Sequence, residues 1–129
     1  MTTRREARRA AIDILYQADV TGEDPSVTLA AWREAGRALT PFTRDLVEGV
    51  VDHAAAIDLL LEEHAHGWTV ARMATLDRTI LRVAVEELRY RADVPDAVAI
   101  SEAVESASEL SADESKAFVN GILGRIAQA

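Results

Sequence analysis

The sequence predicts an all-α protein of seven helices, and three observations support this fold class. Gly and Pro divide the 129 residues into helix-length segments. Within these segments apolar residues recur at steps of three and four, which is the period of a helix face. No segment shows the sustained alternation that is typical of a strand. The apolar fraction is 49% and there is no Cys, so we expect a packed core without disulfides.

Three helices are predicted before a break at Gly67. Their approximate bounds are Arg4–Asp19, Ser26–Arg37 and Pro41–His64. Asp24-Pro25 and Thr40-Pro41 each place a capping side chain before a proline, which favours a helix start.

Four further helices are predicted after the break. Their approximate bounds are Val70–Ala74, Thr75–Arg91, Asp96–Leu110 and Glu114–Ala127. The sequence therefore predicts one domain over residues 1–129, composed of a three-helix half, 1–66, and a four-helix half, 67–129.

Charge is distributed unevenly along the chain. The formal net charge is −8, yet residues 1–10 carry four Arg and one Glu. Residues 93–114 carry seven carboxylates and neither Lys nor Arg. A short basic arm on an acidic body argues against a nucleic-acid binder that is basic throughout.

No pattern of residues predicts catalysis, a cofactor or a bound metal. A Ser–His–carboxylate arrangement and a phosphate-binding Gly-rich loop are both missing from the sequence. His64 and His66 lie two residues apart near a helix end, where a third metal ligand is not evident. Glu86 and Glu87 are adjacent and point about 100° apart on a helix, so they do not form a proton-sharing pair.

The sequence also lacks a membrane signal. No apolar run approaches the roughly 18 residues that a membrane helix needs. The basic start is followed by helical periodicity rather than by a long apolar stretch, which argues against a secretory signal. We therefore expect a cytoplasmic protein that does not contact a membrane.

The basic arm consists of Arg4, Arg5, Arg8 and Arg9. Arg4 with Arg8, and Arg5 with Arg9, are four residues apart and form two neighbouring ridges on a helix. Tyr16 lies seven residues beyond Arg9 on the second ridge. Guanidinium groups beside an aromatic ring are typical of proteins that bind single-stranded RNA.

Two alternatives remain open on this reasoning. The arm can be a solvated helix start, with Arg9 paired to Asp13 and Tyr16 packed at the core edge. The protein can also be a non-catalytic helical interaction module that binds a basic partner. Its acidic ridge then consists of Glu102, Glu105 and Glu109, which follow one another at steps of three and four.

Five segments of the chain resemble the NusB family of bacterial transcription antitermination factors. They are residues 4–17, 77–88, 93–95, 99–105 and 115–123. Their order and spacing are similar to those of the family over almost the whole chain. The resemblance implies an all-helical fold of two packed subdomains.

The same resemblance implies a function and partners. Family members bind the boxA element in the leader of ribosomal RNA operons together with NusE, a ribosomal protein of the small subunit. The two proteins join the RNA polymerase antitermination complex and suppress termination. Some family members are dimers, so a monomer or a homodimer is expected.

The resemblance further implies which residues make these contacts. The RNA-binding residues are expected to be Arg4, Arg5, Arg8, Arg9, Tyr16, Gln17, Arg82, Lys116 and Phe118. Phe118 also fits the core, because it lies four residues before Ile122 on one helix face. Asp77 and Glu87 are expected on the side that binds NusE.

Overall fold

A computed structural model describes residues 2–37 and 39–129, and within these ranges it contains helices and no strand. The α-helices are α1 (Arg4–Thr21), α2 (Pro25–Glu34), α3 (Pro41–Asp52), α4 (Ala54–His64), α5 (Thr75–Tyr90), α6 (Asp96–Leu110) and α7 (Ser115–Gln128). A 3₁₀ helix spans Val70–Arg72. The predicted all-α class is confirmed.

Helix ends follow the local chemistry of the sequence. Thr3 and Glu6 form a reciprocal capping box at the start of α1, and Gly22 ends this helix with φ 76°, a conformation that favours glycine. The predicted caps Asp24 and Thr40 each accept a hydrogen bond from a backbone N–H in the first turn of the next helix.

The predicted helix from Pro41 to His64 is wrong at one point, because α3 ends at Asp52 and α4 begins at Ala54. His53 lies at the junction, and its ring stacks on Tyr90 with centroids 3.6 Å apart. Its Nδ1 lies 2.7 Å from Oε1 of the buried Glu86. These contacts with α5 hold the junction, and no local Gly or Pro signals the break.

The break changes the helix count of both predicted halves. In the described part of the chain, four α-helices precede Gly67 and three follow it. The predicted helix Val70–Ala74 is a single 3₁₀ turn. The division of the domain at Gly67 stays a prediction.

Helix α5 lies at the centre of the molecule and packs against α1, α3, α4, α6 and α7. Its buried side chains include Ile80, Leu81 and Val85, which meet apolar residues from every one of these neighbours in one continuous core. The charged Glu86 and Glu87 of the same helix are also buried. Helix α5 therefore supplies both the apolar centre and two carboxylates that need partners.

We expect Gly49→Ala to lower the free energy of unfolding by about 1–3 kcal/mol, the usual cost of overpacking. A Cβ at Gly49 would overlap the carboxylate of Glu86, which also bonds His53. Gly124→Ala in α7 is the matched control, because a Cβ there meets nothing within 4 Å. Gly124→Ala should raise the free energy of unfolding by up to about 1 kcal/mol, because alanine has a higher helix propensity than glycine.

Urea unfolding followed by circular dichroism measures both variants. Equal stabilisation by the two substitutions would show that α3 and α5 leave room for a methyl group at Gly49.

Candidate nucleic-acid interface

The basic arm occupies the first two turns of α1, and two of its arginines, Arg5 and Arg9, meet carboxylates of α6. Nη2 of Arg5 lies 2.9 Å from Oε2 of Glu102, and Nε of Arg5 lies 3.2 Å from both carboxylate oxygens. Nη2 of Arg9 lies 2.8 Å from Oε2 of Glu109. Hydrogen bonding to Glu102 raises the pKa of Arg5, and hydrogen bonding from Arg9 lowers the pKa of Glu109. The acidic ridge of α6 therefore faces the arm.

Arg4 lies at the rim of the arm and shares a carboxylate with a second arginine. Its Nη2 lies 2.7 Å from Oδ2 of Asp93, which Arg91 also bonds. The hydrogen bonds from Arg91 and Arg4 lower the pKa of Asp93 to about 2. The guanidinium of Arg4 also lies 4.5 Å from the ring centroid of Phe42. Arg4 is thus half-exposed and held over an aromatic face.

Arg8 differs from the rest of the arm because it is buried and paired with Glu87. Their exposed fractions are 6% and 1%. Nε and Nη2 of Arg8 each lie 2.8 Å from Oε1 of Glu87, and Nη1 lies 3.5 Å from Oε1 of Glu102. Burial raises the pKa of Glu87, and the bonded Arg8 opposes this rise.

This burial argues against two predicted roles, which stay predictions. The family resemblance predicts that Arg8 contacts RNA and that Glu87 contacts the protein partner, yet both side chains are enclosed and bond each other. Arg8 points inward because it lies beside Ala7, Ala11 and Ile12 on the buried face of α1. The pair joins α1 to α5 and does not reach a ligand on the surface.

Tyr16 and Gln17 lie beyond the arm on α1, and both are exposed. Tyr16 is 40% exposed, so part of this aromatic residue is open to solvent. Oε1 of Gln17 accepts a hydrogen bond from Nε1 of Trp32 at 3.3 Å. The suggested pair between Arg9 and Asp13 does not form, since Arg9 bonds Glu109 instead.

Arg82 lies apart from the basic arm, in an ion-pair network between α5, α4 and the end of α1. Its Nε lies 2.9 Å from Oδ1 of Asp58, and its Nη1 lies 3.5 Å from Oδ2 of Asp19. Asp19 follows Arg9 by ten residues, or about 15 Å of helix. The structure does not bring this predicted RNA-binding residue together with the arm.

A second surface lies at the start of α5 and α7. Asp77 accepts a hydrogen bond from Oγ of Ser111 at 2.6 Å, and Phe118 is half-buried with its ring edge-on to Trp68. Lys116 is exposed in the first turn of α7. These elements enclose a cleft of about 440 Å³, called here the Trp68 cleft. It is lined by Trp68, Arg72, Met73, Ala74, Asp77, Glu114, Ser115 and Phe118.

Sequence reasoning missed Trp68, which is 48% exposed. The signal that could have found it is a large aromatic residue between Gly67 and Thr69, in a break between helices. A solvated Trp at the mouth of a cleft is typical of a protein-binding surface, because it offers a large contact area and an N–H donor.

Helix α6 connects the arm to the Trp68 cleft. Arg5 meets Glu102 and Arg9 meets Glu109, so α1 and α6 run in the same direction. Ser111, at the end of α6, then bonds both Asp77 and the first residue of α7. Glu102 lies about 12 Å along the helix from Leu110, the last residue of α6.

The model of the NusB family matches residues 5–128. The chain belongs to the NusB family. It is 47% identical to transcription antitermination protein NusB of Clavibacter sepedonicus, with 100% of the chain and 98% of that protein covered. A structure of T. maritima NusB matches with a TM-score of 0.88 at 32% identity, and the match covers 98% of this chain and 92% of that one. A crystal structure of NusB and NusE in complex with double-stranded RNA matches with a TM-score of 0.85 at 26% identity, over 97% and 96% of the two chains.

The described residues offer neither a metal site nor a membrane span. In residues 2–37 and 39–129, no three side chains of His, Asp or Glu are arranged to hold a metal ion. No α-helix of this part of the chain is sufficiently long and apolar to span a membrane. His64, a candidate metal ligand in the sequence, has its Nδ1 2.8 Å from the carbonyl oxygen of Leu60.

We expect Arg8→Met and Glu87→Met each to lower the free energy of unfolding by about 3–5 kcal/mol, because each leaves a buried charge without its partner. The double variant Arg8→Met/Glu87→Met removes both charges and should lose less than the sum of the single changes. Urea unfolding of all variants gives the coupling energy.

The exposed pair Arg9–Glu109 supplies a control, since surface ion pairs contribute about 0–1 kcal/mol. A coupling energy for Arg8 and Glu87 no larger than that of the control would show that the buried pair does not hold α1 on α5.

Proposed function

We propose that the protein is a non-catalytic, RNA-binding transcription antitermination factor that acts in the cytoplasm. It binds the boxA element of ribosomal RNA operon leaders together with NusE, within the RNA polymerase antitermination complex. The observation that carries this proposal is the placement of the exposed Arg5 and the partly exposed Arg9 on the same helix ridge as the exposed Tyr16.

The chemistry of this ridge fits a single strand of RNA. The guanidinium groups of Arg5 and Arg9 can each bond phosphate oxygens, and the ring of Tyr16 can stack on an unpaired base. Lys116 adds one cation at the far end of α6. Residues 11–129 carry 21 acidic and 10 basic side chains, so their net negative charge repels phosphate and the protein alone should bind RNA weakly.

The Trp68 cleft fits the protein partner. The relative of known structure described above is bound to NusE as well as to RNA. Asp77 presents a carboxylate beside the exposed Trp68, and a basic ribosomal protein would complement that charge. A partner docked there would also cover part of the acidic body and extend the positive surface that RNA meets.

The alternative of an interaction module that uses the acidic ridge is less well supported. Glu102 and Glu109 are already bonded to Arg5 and Arg9, which leaves Glu105 as the ridge carboxylate without an arginine bond among the described residues. A basic partner would therefore have to displace the arm.

We expect Arg5→Ala/Arg9→Ala to weaken binding to boxA RNA and to a scrambled RNA by similar factors, since phosphate contacts carry no sequence information. The slope of log K against log salt should become flatter by as much as about 0.7 for each phosphate that the variant no longer binds. Fluorescence anisotropy over a range of salt concentrations, with and without NusE, measures both effects.

Arg33→Ala is the matched control, because it removes one exposed arginine from α2, outside the arm. The proposal predicts that NusE tightens the binding of boxA RNA more than that of scrambled RNA. Equal weak binding of both RNAs under both conditions would contradict it.

Asp77→Lys should weaken NusE binding, because it places a positive charge where a basic partner docks. Asp77→Asn keeps an acceptor for Ser111 and should have a smaller effect. Asp52→Lys makes the same charge change at an exposed site in α3 and should leave NusE binding close to wild type. Isothermal titration calorimetry measures the affinities, and circular dichroism confirms folding. Wild-type affinity in folded Asp77→Lys would place the NusE interface elsewhere.

A further inference from the structure

We propose that Glu102 and Glu109 of α6 act as internal counter-anions of the basic arm, which RNA phosphates must displace. The carboxylates occupy the guanidinium groups of Arg5 and Arg9 in the free protein. This inference rests on the proposed RNA-binding function and adds a restraint on it. The arm is then held neutral until a ligand offers enough phosphates to replace the carboxylates together.

The carboxylates of Glu102 and Glu109 contact the arginines in the way that phosphate oxygens would. Arg5 directs Nε and Nη2 at the two oxygens of Glu102, the forked arrangement that guanidinium groups also use for phosphate. Arg9 approaches Glu109 at 2.8 Å through Nη2. The donors that would bind phosphate are therefore the donors that the carboxylates now use.

Solvent access makes the contacts displaceable. In the pair of Arg5 with Glu102 the side chains are 63% and 15% exposed, and in the pair of Arg9 with Glu109 they are 27% and 47% exposed. Each of these pairs therefore has one member open to solvent, whereas both Arg8 and Glu87 are enclosed. Exposed ion pairs contribute little to stability, so they can open without unfolding the helix. The buried pair holds α1 in place while the exposed pairs exchange partners.

The exchange has a measurable effect on ion release. A solvated arginine that binds a phosphate of a single strand contributes about −0.7 to the slope of log K against log salt. Here each arginine leaves a carboxylate, and the freed carboxylate attracts a cation from solution. The net release is smaller, so Arg5 and Arg9 of the wild-type protein should contribute a shallower slope than two solvated arginines would.

The test compares Glu109→Gln in the wild-type and Arg9→Ala backgrounds. With Arg9 present, the substitution should tighten the binding of both boxA RNA and scrambled RNA by about two- to fivefold, the range expected for one surface ion pair. It should also steepen the salt slope. In the Arg9→Ala background the tightening should be smaller, because no ion pair remains to be broken.

Two matched controls separate this effect from general repulsion. Glu105→Gln removes the same charge from the same ridge, at a residue that bonds no arginine in the described part of the chain. Glu62→Gln removes an exposed charge from α4. The proposal expects Glu109→Gln to tighten RNA binding more than either control substitution does. Equal effects of Glu109→Gln and Glu105→Gln, or equal tightening with and without Arg9, would overturn it. Weaker RNA binding by Glu109→Gln would overturn it as well.

Inorganic polyphosphate distinguishes failure of the inference from failure of the proposed function. Polyphosphate offers anionic oxygens without bases, so Glu109→Gln should tighten the binding of polyphosphate even if the protein has no preference for boxA. If neither the wild-type protein nor Glu109→Gln binds polyphosphate, the counter-anion role is wrong. If polyphosphate behaves as expected but Arg5→Ala/Arg9→Ala leaves RNA binding unchanged, the RNA-binding function is wrong instead.

Discussion

The buried ion pair between Arg8 and Glu87 joins α1 to the central helix α5. Both groups are buried, and a charge removed from water needs its partner at close range. Arg8 also approaches Glu102, so one guanidinium connects α1, α5 and α6. With α1 held in this orientation, the remaining arginines of the arm are directed along α6.

Burial divides the basic arm into two kinds of residue with the same chemistry. Arg8 lies on the apolar face of α1 and acts in the core, whereas Arg5 and Arg9 lie on the neighbouring ridge and remain in contact with solvent. Their ion pairs differ accordingly. The enclosed pair is costly to open, and the exposed pairs open easily because water and salt screen them. The buried pair can therefore keep the arm attached to α5 while Arg5 and Arg9 exchange one anionic partner for another.

The two candidate surfaces have different chemistry, and α6 connects them. Arg5 and Arg9 bond carboxylates along α6, and their guanidinium groups suit phosphates. The Trp68 cleft adjoins the end of α6 and presents Trp68 and Asp77, which suit an amphipathic, basic surface. Ser111 links the two by bonding Asp77 at the point where α6 gives way to α7.

The sequence by itself determined the fold class, most helix bounds and the position of the basic arm, because these depend on local periodicity and on caps such as Asp24 and Thr40. Motif order also identified the family. The tertiary structure decided the break at His53 and the burial of Arg8, since both depend on partners in α5 that are distant in the chain. Arg8 and Glu87 are 79 residues apart. A helical period shows which residues share a face, but only the packed helices show what that face meets, and an arginine binds RNA or a carboxylate according to that neighbour.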